Sequence, residues 1–543
     1  MLTFNEFIEN SIVKHWELKA FTNYKEETIT YAETAEYIKK FHVVFQEIGI
    51  QKGDKIAQIG RNNANWAVTF LSTVSYGAVT VPLLQDFTPS DIENTVNHSD
   101  AVLLFLSDYI FEKLDVSKFP TIKAFISLDN YSILHTTDNT IPIIIEKNLK
   151  LNQSLTPNTF TLINIPNSEL ASISYTSGTS GLSKGVMLTH RNFATNIEFG
   201  FDVISFKPED QVVSFLPLAH AYGLAFEFLA EFTQGCHITF LGKIPSPQVI
   251  LQAFKEIKPR LVILVPLIME KVYRNKVKPA ISSGLPNILL GIPLLKNVVH
   301  KKVKKQLEDA FGGNFIEVII GGAALNKEVE SFLKKIGFRY TIGYGMTECA
   351  PIISYAPWDK LQKFSCGYPI RQCTVKIDSP DPERVEGEIL VKGPQVMLGY
   401  YKNPVVTADT FDEEGWLKTG DLGVMNSQGF ITIKGRSKNM ILGASGQNIY
   451  PEEIEARINS LPYVMESLVI EKEGRLHALI VPDLEKAEQD GLDREKVKIH
   501  FEKNQKELNQ QMPNYMAISR IVMQEEEFIK TPKKSIKRYL YTN

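Results

Sequence analysis

From Ile173 to Val186 the chain reads Ile-Ser-Tyr-Thr-Ser-Gly-Thr-Ser-Gly-Leu-Ser-Lys-Gly-Val. Hydroxyls and glycines this dense, directly after an apolar run, suit a loop whose backbone N–H groups wrap phosphate oxygens. Lys184 adds a point charge for such an anion. The P-loop pattern is excluded, because it needs glycine before its lysine and serine or threonine after it. Here Ser183 precedes and Gly185 follows. A plain Gly/Ser turn has the same composition when it stands alone; this one does not.

Further along, Ile319-Ile320-Gly321-Gly322-Ala323-Ala324 places tiny residues after a strand-like run, where a flat ring can lie against the backbone. Tyr344-Gly345-Met346-Thr347-Glu348 then offers an aromatic face, a hydroxyl and a carboxylate within five residues. Those groups can stack a base, touch a phosphate and hold Mg²⁺. It is not a Rossmann fingerprint, since Glu348 stands where the third glycine belongs. Trp416-Leu417-Lys418-Thr419-Gly420-Asp421 and Gly435-Arg436-Ser437-Lys438 supply an acid and a base, and Asp421 suits ribose hydroxyls. Singly, each of these stretches is also what a surface turn looks like.

Alternating helices and strands must position these groups. Apolar residues at Ile38, Phe41, Val44, Phe45 and Ile48 predict a helix over Tyr37–Ile48, followed by a strand at Ile56–Ile59. The rhythm repeats as Asn65–Tyr76 with Ala78–Val81, Asp91–His98 with Ala101–Leu106, and Gln248–Ile257 with Leu261–Val265. Buried β-branched strands alternating with helices predict parallel sheets covered on both faces. Beyond about residue 380 the texture turns to short strands and turns: Gly387–Val391, Asp412–Gly415 and Gly429–Lys434. A compact α+β unit follows, with Pro451 opening a helix and Glu473-Gly474 turning a hairpin between Ser467–Ile470 and Leu476–Val481. The expected organisation is α/β: a large N-terminal domain, residues 1–436, of αβ-layered sheets plus a β-rich subdomain, and a small mobile α+β lid, residues 437–543.

A chain of 543 residues exceeds one compact core, and 44% hydrophobic with 22% charged residues is ordinary globular composition. A net charge of −3 gives no pull towards nucleic acid. The four cysteines show neither disulfide nor zinc spacing, which fits a reducing cytoplasm. The N-terminus does not read as a signal peptide, and no uncharged apolar run is long enough to span a bilayer. The nearest, Leu285–Val299, is broken by Pro286 and Pro293 and flanked by lysines. It reads either as a packed connector before a solvated basic helix or as a peripheral membrane contact.

Together and in this order, TSGTSGLSKGV, LPLAHAYGL, GGAAL, YGMTE, WLKTGD and GRSKNMI resemble the adenylate-forming superfamily of acyl-CoA synthetases, amino-acid-activating domains and luciferases. Within it, GRSKNMILGASGQNIYPEEIE and LPLAHAYG are similar to the long-chain fatty acyl-CoA synthetase branch. The resemblance implies that Thr176, Ser177, Gly178, Thr179, Ser180 and Lys184 wrap the β- and γ-phosphates of ATP. It implies further that Gly322, Ala323 and Tyr344 hold adenine, Thr347 touches the α-phosphate and Glu348 binds Mg²⁺. Asp421 and Arg436 are expected on the ribose, Lys438 at a hinge, and His220 and Tyr222 at the acyl pocket, although a hydrogen-bonded structural histidine explains His220 equally well.

The implied reaction has two halves: a fatty acid is activated as acyl-AMP with release of pyrophosphate, and coenzyme A then takes the acyl group and releases AMP. Transfer to a carrier protein and a catalytically inactive nucleotide-binding module are the alternatives. One departure stands out. The family's tail is close to Lys-Thr-x-Ser-Gly-Lys-Ile-x-Arg, with the second lysine serving adenylation. Here Lys530-Thr531-Pro532-Lys533-Lys534-Ser535-Ile536-Lys537-Arg538 puts Ser535 in that slot. The expectation is that Lys534 takes the role, against a solvated basic tail that leaves adenylation to Lys184 and Mg²⁺.

Overall fold

The computed structural model describes residues 2–151, 154–177, 183–242, 246–282, 293–442, 447–531 and 535–542. An eight-stranded sheet draws all but one of its strands from residues 55–189. Its order is Gly399–Tyr400, Ser183–Thr189, Leu170–Ser177, Val79–Leu83, Lys55–Ile59, Ala101–Leu106, Ala124–Ser127, Ile133–Thr136. The central strands are parallel, as the alternation predicts. The outer strands at both edges run antiparallel. The sheet is buried on both faces: Leu103 and Phe105 pack with Phe41, Phe45, Trp66 and Phe70. Leu104 and Leu106 pack on the other side with Ile92 and Val96. A continuous apolar strand is what two buried faces require.

The flanking helices start and stop where their chemistry dictates. Tyr31–Glu47 opens on a capping box between Thr30 and Glu33, so it begins six residues before the apolar stripe. Ala64–Tyr76 is capped by the Asn63 side chain, which accepts the Trp66 N–H at 2.7 Å, and it ends on Gly77 at φ 93°. Pro89–Ser99 and Pro247–Ile257 each begin on proline, one to two residues before the predicted starts.

Two further sheets lie next to each other. One is Gln211–Ser214, His237–Phe240, Lys19–Asn23, Thr28–Thr30; the other is the parallel set Val262–Leu264, Val318–Ile320, Tyr340–Ile342. A parallel bridge between Val212 and Leu261 joins them. A four-stranded antiparallel sheet, Thr374–Asp378, Gly387–Lys392, Leu417–Met425 and Ile431–Arg436, is the β-rich part. The C-terminal α+β part has its own core. Ile454, Val469, Ala478, Ile480, Phe501 and Leu508 cluster there between the sheet Val464–Lys472, Arg475–Pro482, Ile518–Met523 and the helices Pro451–Ile458 and Arg494–Gln511.

This small part touches the large one through polar contacts. Arg274 donates to the backbone oxygens of Val464, at 3.0 Å, and Asn459. The Asn326 amide donates to Ala456 O at 2.6 Å. Of the apolar run Leu285–Val299, residues 285–292 lie outside the described residues, and Pro293–Ala310 is helical. Val299, Val303 and Leu307 of that helix are buried, whereas Lys301, Lys302 and Lys305 are exposed. Among the described residues no helix is long and apolar enough to cross a membrane. Cys236, Cys349, Cys366 and Cys373 are all free thiols.

Candidate active site

A cleft of about 2990 Å³ runs between the large part and the C-terminal part. The segments following the parallel strands Val262–Leu264, Val318–Ile320 and Tyr340–Ile342 open into it, the usual place for a ligand in an open α/β sheet. Every singled-out motif with described residues contributes to its wall: Thr176 and Lys184, His220 and Tyr222, Gly322 and Ala323, Tyr344, Thr347 and Glu348, Asp421, Arg436 and Lys438.

The acid and base expected at the ribose form a pair. Asp421 and Arg436 sit opposite each other on neighbouring antiparallel strands. Arg436 Nε lies 2.9 Å from Asp421 Oδ1, and the Tyr344 hydroxyl donates to Oδ2 at 2.7 Å. Burial pushes the Asp421 carboxyl up from its ordinary range, and the Arg436 guanidinium opposes that shift. Glu388, which the sequence reading did not single out, accepts the Gly420 N–H at 2.8 Å and so holds the turn that presents Asp421.

Gly345, between Tyr344 and Thr347, lets the chain pass close to the Pro351 carbonyl, because a Cβ there would stand 2.2 Å from Pro351 O. In the stretch expected at the phosphates, Thr176 and Lys184 are cross-strand partners in an antiparallel hairpin. The Gly/Ser loop therefore joins two strands instead of leading into a helix. Gly178, Thr179 and Ser180 lie outside the described residues. Thr347 and Glu348 occupy one short 3₁₀ turn. The Tyr400 hydroxyl donates to Glu348 Oε1 at 2.9 Å, and Lys184 Nζ lies 4.9 Å from the Tyr400 ring centre. Tyr400 also escaped the sequence reading, since only the tertiary pairing of Tyr400 with Val186 brings it here.

His220 and Tyr222 begin a helical segment that passes from Ala221–Leu224 into a π-turn at Ala225–Leu229. The Tyr222 hydroxyl donates to Ile319 O at 3.2 Å, and its ring lies so close to Gly321 that a Cβ there would be 2.9 Å away. The segments expected at the adenine and at the acyl pocket thus share one tight contact. Glu227, the acid in Ala221–Leu229, is fully buried, and its carboxylate accepts the Phe215 and Leu216 N–H groups, both at 2.8 Å.

On the C-terminal side Lys438 is exposed within the short turn Ser437–Asn439. The tail folds back: Lys530 bridges Ile536, and Ser535, Ile536, Lys537 and Arg538 reach the cleft. Lys530 is paired with Glu466 at 2.8 Å, and Arg538 with Glu455. Ser535 carries no charge, and Lys533 and Lys534 lie outside the described residues.

A family model described as AMP-binding enzyme matches residues 8–401. The chain belongs to that family. This AMP-binding enzyme is similar to a long-chain-fatty-acid–CoA ligase of Mycobacterium bovis, 27% identical over 466 residues that cover 81% of this chain and 75% of the relative. It is equally similar to a chloroplastic long-chain-fatty-acid–acyl-carrier-protein ligase of Arabidopsis thaliana, 27% identical over 541 residues that cover 85% of this chain and 73% of the relative. In fold it matches the ATP-bound MatB of Rhodopseudomonas palustris, with a TM-score of 0.76 over 99% of this chain and 98% of that one at 23% identity. Adenylate formation is accordingly the general chemistry of this enzyme.

The donor set fits a Mg²⁺–nucleotide. Among the described residues no cluster of three or more histidine, cysteine or carboxylate side chains could hold a metal alone. Mg²⁺ in nucleotide enzymes needs only one or two carboxylates beside phosphate oxygens and water, and Glu348 in the cleft wall offers one.

Proposed function

We propose that this AMP-binding enzyme is an ATP-dependent fatty acid:CoA ligase. The observation that carries the substrate class is the orientation of Glu227. An amino-acid-activating site needs an anion for the substrate ammonium, and this acid lies behind the cleft lining with its carboxyl turned to the backbone N–H groups of Phe215 and Leu216. Phe199, Phe215, Phe226, Val265 and Ile319 line the cleft with Tyr222 instead, an apolar wall suited to an alkyl chain.

In the first half-reaction the carboxylate oxygen attacks the α-phosphorus and pyrophosphate leaves. In the second the thiol of coenzyme A attacks the acyl carbonyl and AMP leaves. Lys184 and the Gly/Ser loop hold the β- and γ-phosphates, Thr347 meets the α-phosphate, and Asp421 with Arg436 fixes the ribose. Gly322, Ala323 and Tyr344 border the adenine, and His220 and Tyr222 the acyl pocket. Glu348 holds Mg²⁺, which supplies charge neutralisation on the phosphate oxygens. Most of the rate comes from positioning and electrostatics, because no protein group need become covalently bound. Residues 437–543 act as the lid, and rotation at Lys438 exchanges the lid residues that face the acyl-adenylate.

Equal similarity to a CoA ligase and to a carrier-protein ligase keeps the carrier acceptor as a second reading. The deciding experiment measures AMP formation with acids of rising chain length, with no acceptor, with coenzyme A and with a phosphopantetheinylated carrier protein. Medium-to-long acids with coenzyme A should react fastest. Better turnover of acetate or an aromatic acid overturns the substrate, and a requirement for the carrier overturns the acceptor. Absence of pyrophosphate–ATP exchange with every acid would show an inactive nucleotide-binding module.

A further inference from the structure

Tyr400 touches two groups of the phosphate end, and its surroundings hold it firmly in place. Its hydroxyl donates to Glu348 Oε1 at 2.9 Å, and its ring lies under the Lys184 ammonium, 4.9 Å from centre to Nζ. The residue is 7% exposed. Its strand pairs with the lysine's own strand, Gly399 opposite Met187 and Tyr400 opposite Val186. Its N–H donates to Thr407 Oγ1 at 2.9 Å. Gly399 makes that approach possible: its φ is 144°, and a Cβ there would stand 2.5 Å from Thr407 Cγ2. A second tie runs through the backbone, where the Met397 N–H donates to Glu348 O at 2.9 Å. One short segment thus grips Glu348 by backbone and side chain while its aromatic face supports Lys184.

We infer that Tyr400 is a positioning residue for the metal and phosphate end of the site: its hydroxyl fixes the Glu348 carboxylate so that the second oxygen faces Mg²⁺, and its ring seats Lys184 against the triphosphate. The inference rests on the reading of Glu348 as the Mg²⁺ ligand. A carboxylate has about four acceptor positions. Without a fixed donor on one oxygen, the group rotates and offers the metal a moving ligand. Loss of such an outer-shell hydrogen bond typically costs ~10–100-fold in metal affinity. A cation over an aromatic face contributes an attraction equivalent to ~2–30-fold in binding.

Tyr400→Phe removes the hydroxyl and keeps the ring, whereas Tyr400→Leu removes both. The full-length enzyme and its variants are loaded with the non-reacting α,β-methylene analogue of ATP. Bound Mn²⁺ is then counted by electron paramagnetic resonance, and analogue affinity is measured separately in chelator by calorimetry. Tyr400→Phe should weaken Mn²⁺ binding ~10–100-fold and leave metal-free analogue binding within twofold of wild type. Tyr400→Leu should also weaken the metal-free analogue, by ~2–30-fold. Glu348→Gln should lower Mn²⁺ affinity at least as far as Tyr400→Phe, and the double variant no further than Glu348→Gln alone. A role confined to core packing would leave Tyr400→Phe like wild type in Mn²⁺ affinity, and that result, beside a weakened Glu348→Gln, overturns the inference. Wild-type Mn²⁺ affinity in Glu348→Gln overturns the metal-ligand reading first, and the role of Tyr400 with it. If Tyr400→Leu does not fold, Tyr400→Phe alone decides, because its ring preserves the packing.

Discussion

Replacing Asp421 by asparagine tests the nucleotide assignment where the geometry is most explicit. The wild-type carboxylate receives the Tyr344 hydroxyl at 2.7 Å and Arg436 Nε at 2.9 Å, one on each oxygen. A carboxylate has about four acceptor positions, so two remain for the two ribose hydroxyls. Hydrogen bonds to a charged group contribute about 1.5–3 kcal/mol. An amide loses the charge and must turn its NH₂ towards one of two donors, so losing one such bond's worth predicts a ~10–100-fold weaker complex. The fold should tolerate the change, because the Arg436 side chain is 51% exposed and water screens it once unpaired. Calorimetric titration with AMP, 2′-deoxy-AMP and 3′-deoxy-AMP reads the effect. Wild type should discriminate against both deoxy nucleotides, and Asp421→Asn should bind all three weakly and alike. An AMP affinity within twofold of wild type, or undiminished discrimination in the variant, refutes the ribose assignment.

Other consequences can be checked directly. Lys438→Pro should spare pyrophosphate–ATP exchange and slow thioester formation, since proline fixes φ at the proposed pivot; equal slowing of both halves removes Lys438 from that role. Single alanine changes at Lys533, Lys534 and Lys537 should cost exchange activity mainly at Lys534, and a loss at Lys537 instead would transfer the role to that lysine in the cleft wall. Glu231 is fully buried, neither of its carboxyl oxygens has a hydrogen-bond partner among the described residues, and burial raises its pKa to about 8. Because the folded-state value lies above the unfolded one, its favourable contribution is complete below the unfolded pKa of about 4.5 and is lost as pH rises towards about 8. Glu231→Met should therefore unfold at a higher temperature than wild type at pH 8 and lose most of that advantage at pH 5; a gap independent of pH would refute it.

The helices and central strands were legible because burial leaves a periodic trace. Phe41, Val44 and Phe45 face one core, and the unbroken run Ala101–Leu106 faces two. Two-residue strands such as Gly399–Tyr400 have no period to detect, and the antiparallel edges depend on the partner strand. The π-turns at Ala225–Leu229 and Tyr273–Val277 left no sign either, since each is one extra residue within an ordinary helical pattern. The motif residues were legible as chemistry but not as a constellation. Nothing in the spacing of Lys184, Glu348 and Tyr400 reveals that one tyrosine touches both other side chains.

The tail shows why a sequence pattern alone misassigns charge. Lys530, Lys537 and Arg538 look interchangeable on the page, yet the fold engages two of them elsewhere. Lys530 is held by Glu466 at 2.8 Å and Glu527 at 3.2 Å, and Arg538 by Glu455, with Glu452 at 3.9 Å. A cation committed to the buried Glu455 or the half-buried Glu466 is poorly placed to meet a phosphate, because leaving would strand that anion. Arg538 also donates to Val469 O at 3.4 Å, which ties the tail to the central hairpin of the small sheet. These charges therefore tie the tail to the C-terminal part, and the proposed adenylation cation is sought among the lysines between them or beside the cleft. Lys537 is half-buried in the cleft wall and its N–H is fixed to Ile529 O at 2.9 Å, so its reach is set by the side chain alone. Lys534 lies outside the described residues, in the segment between Thr531 and Ser535, whose own backbones are joined by a 2.8 Å hydrogen bond. That hydrogen bond and the pairing of Lys530 with Ile536 hold the two flanks together, so rotation of the C-terminal part would carry the segment between them as a unit, and a loss of exchange activity confined to Lys534→Ala is the expected result.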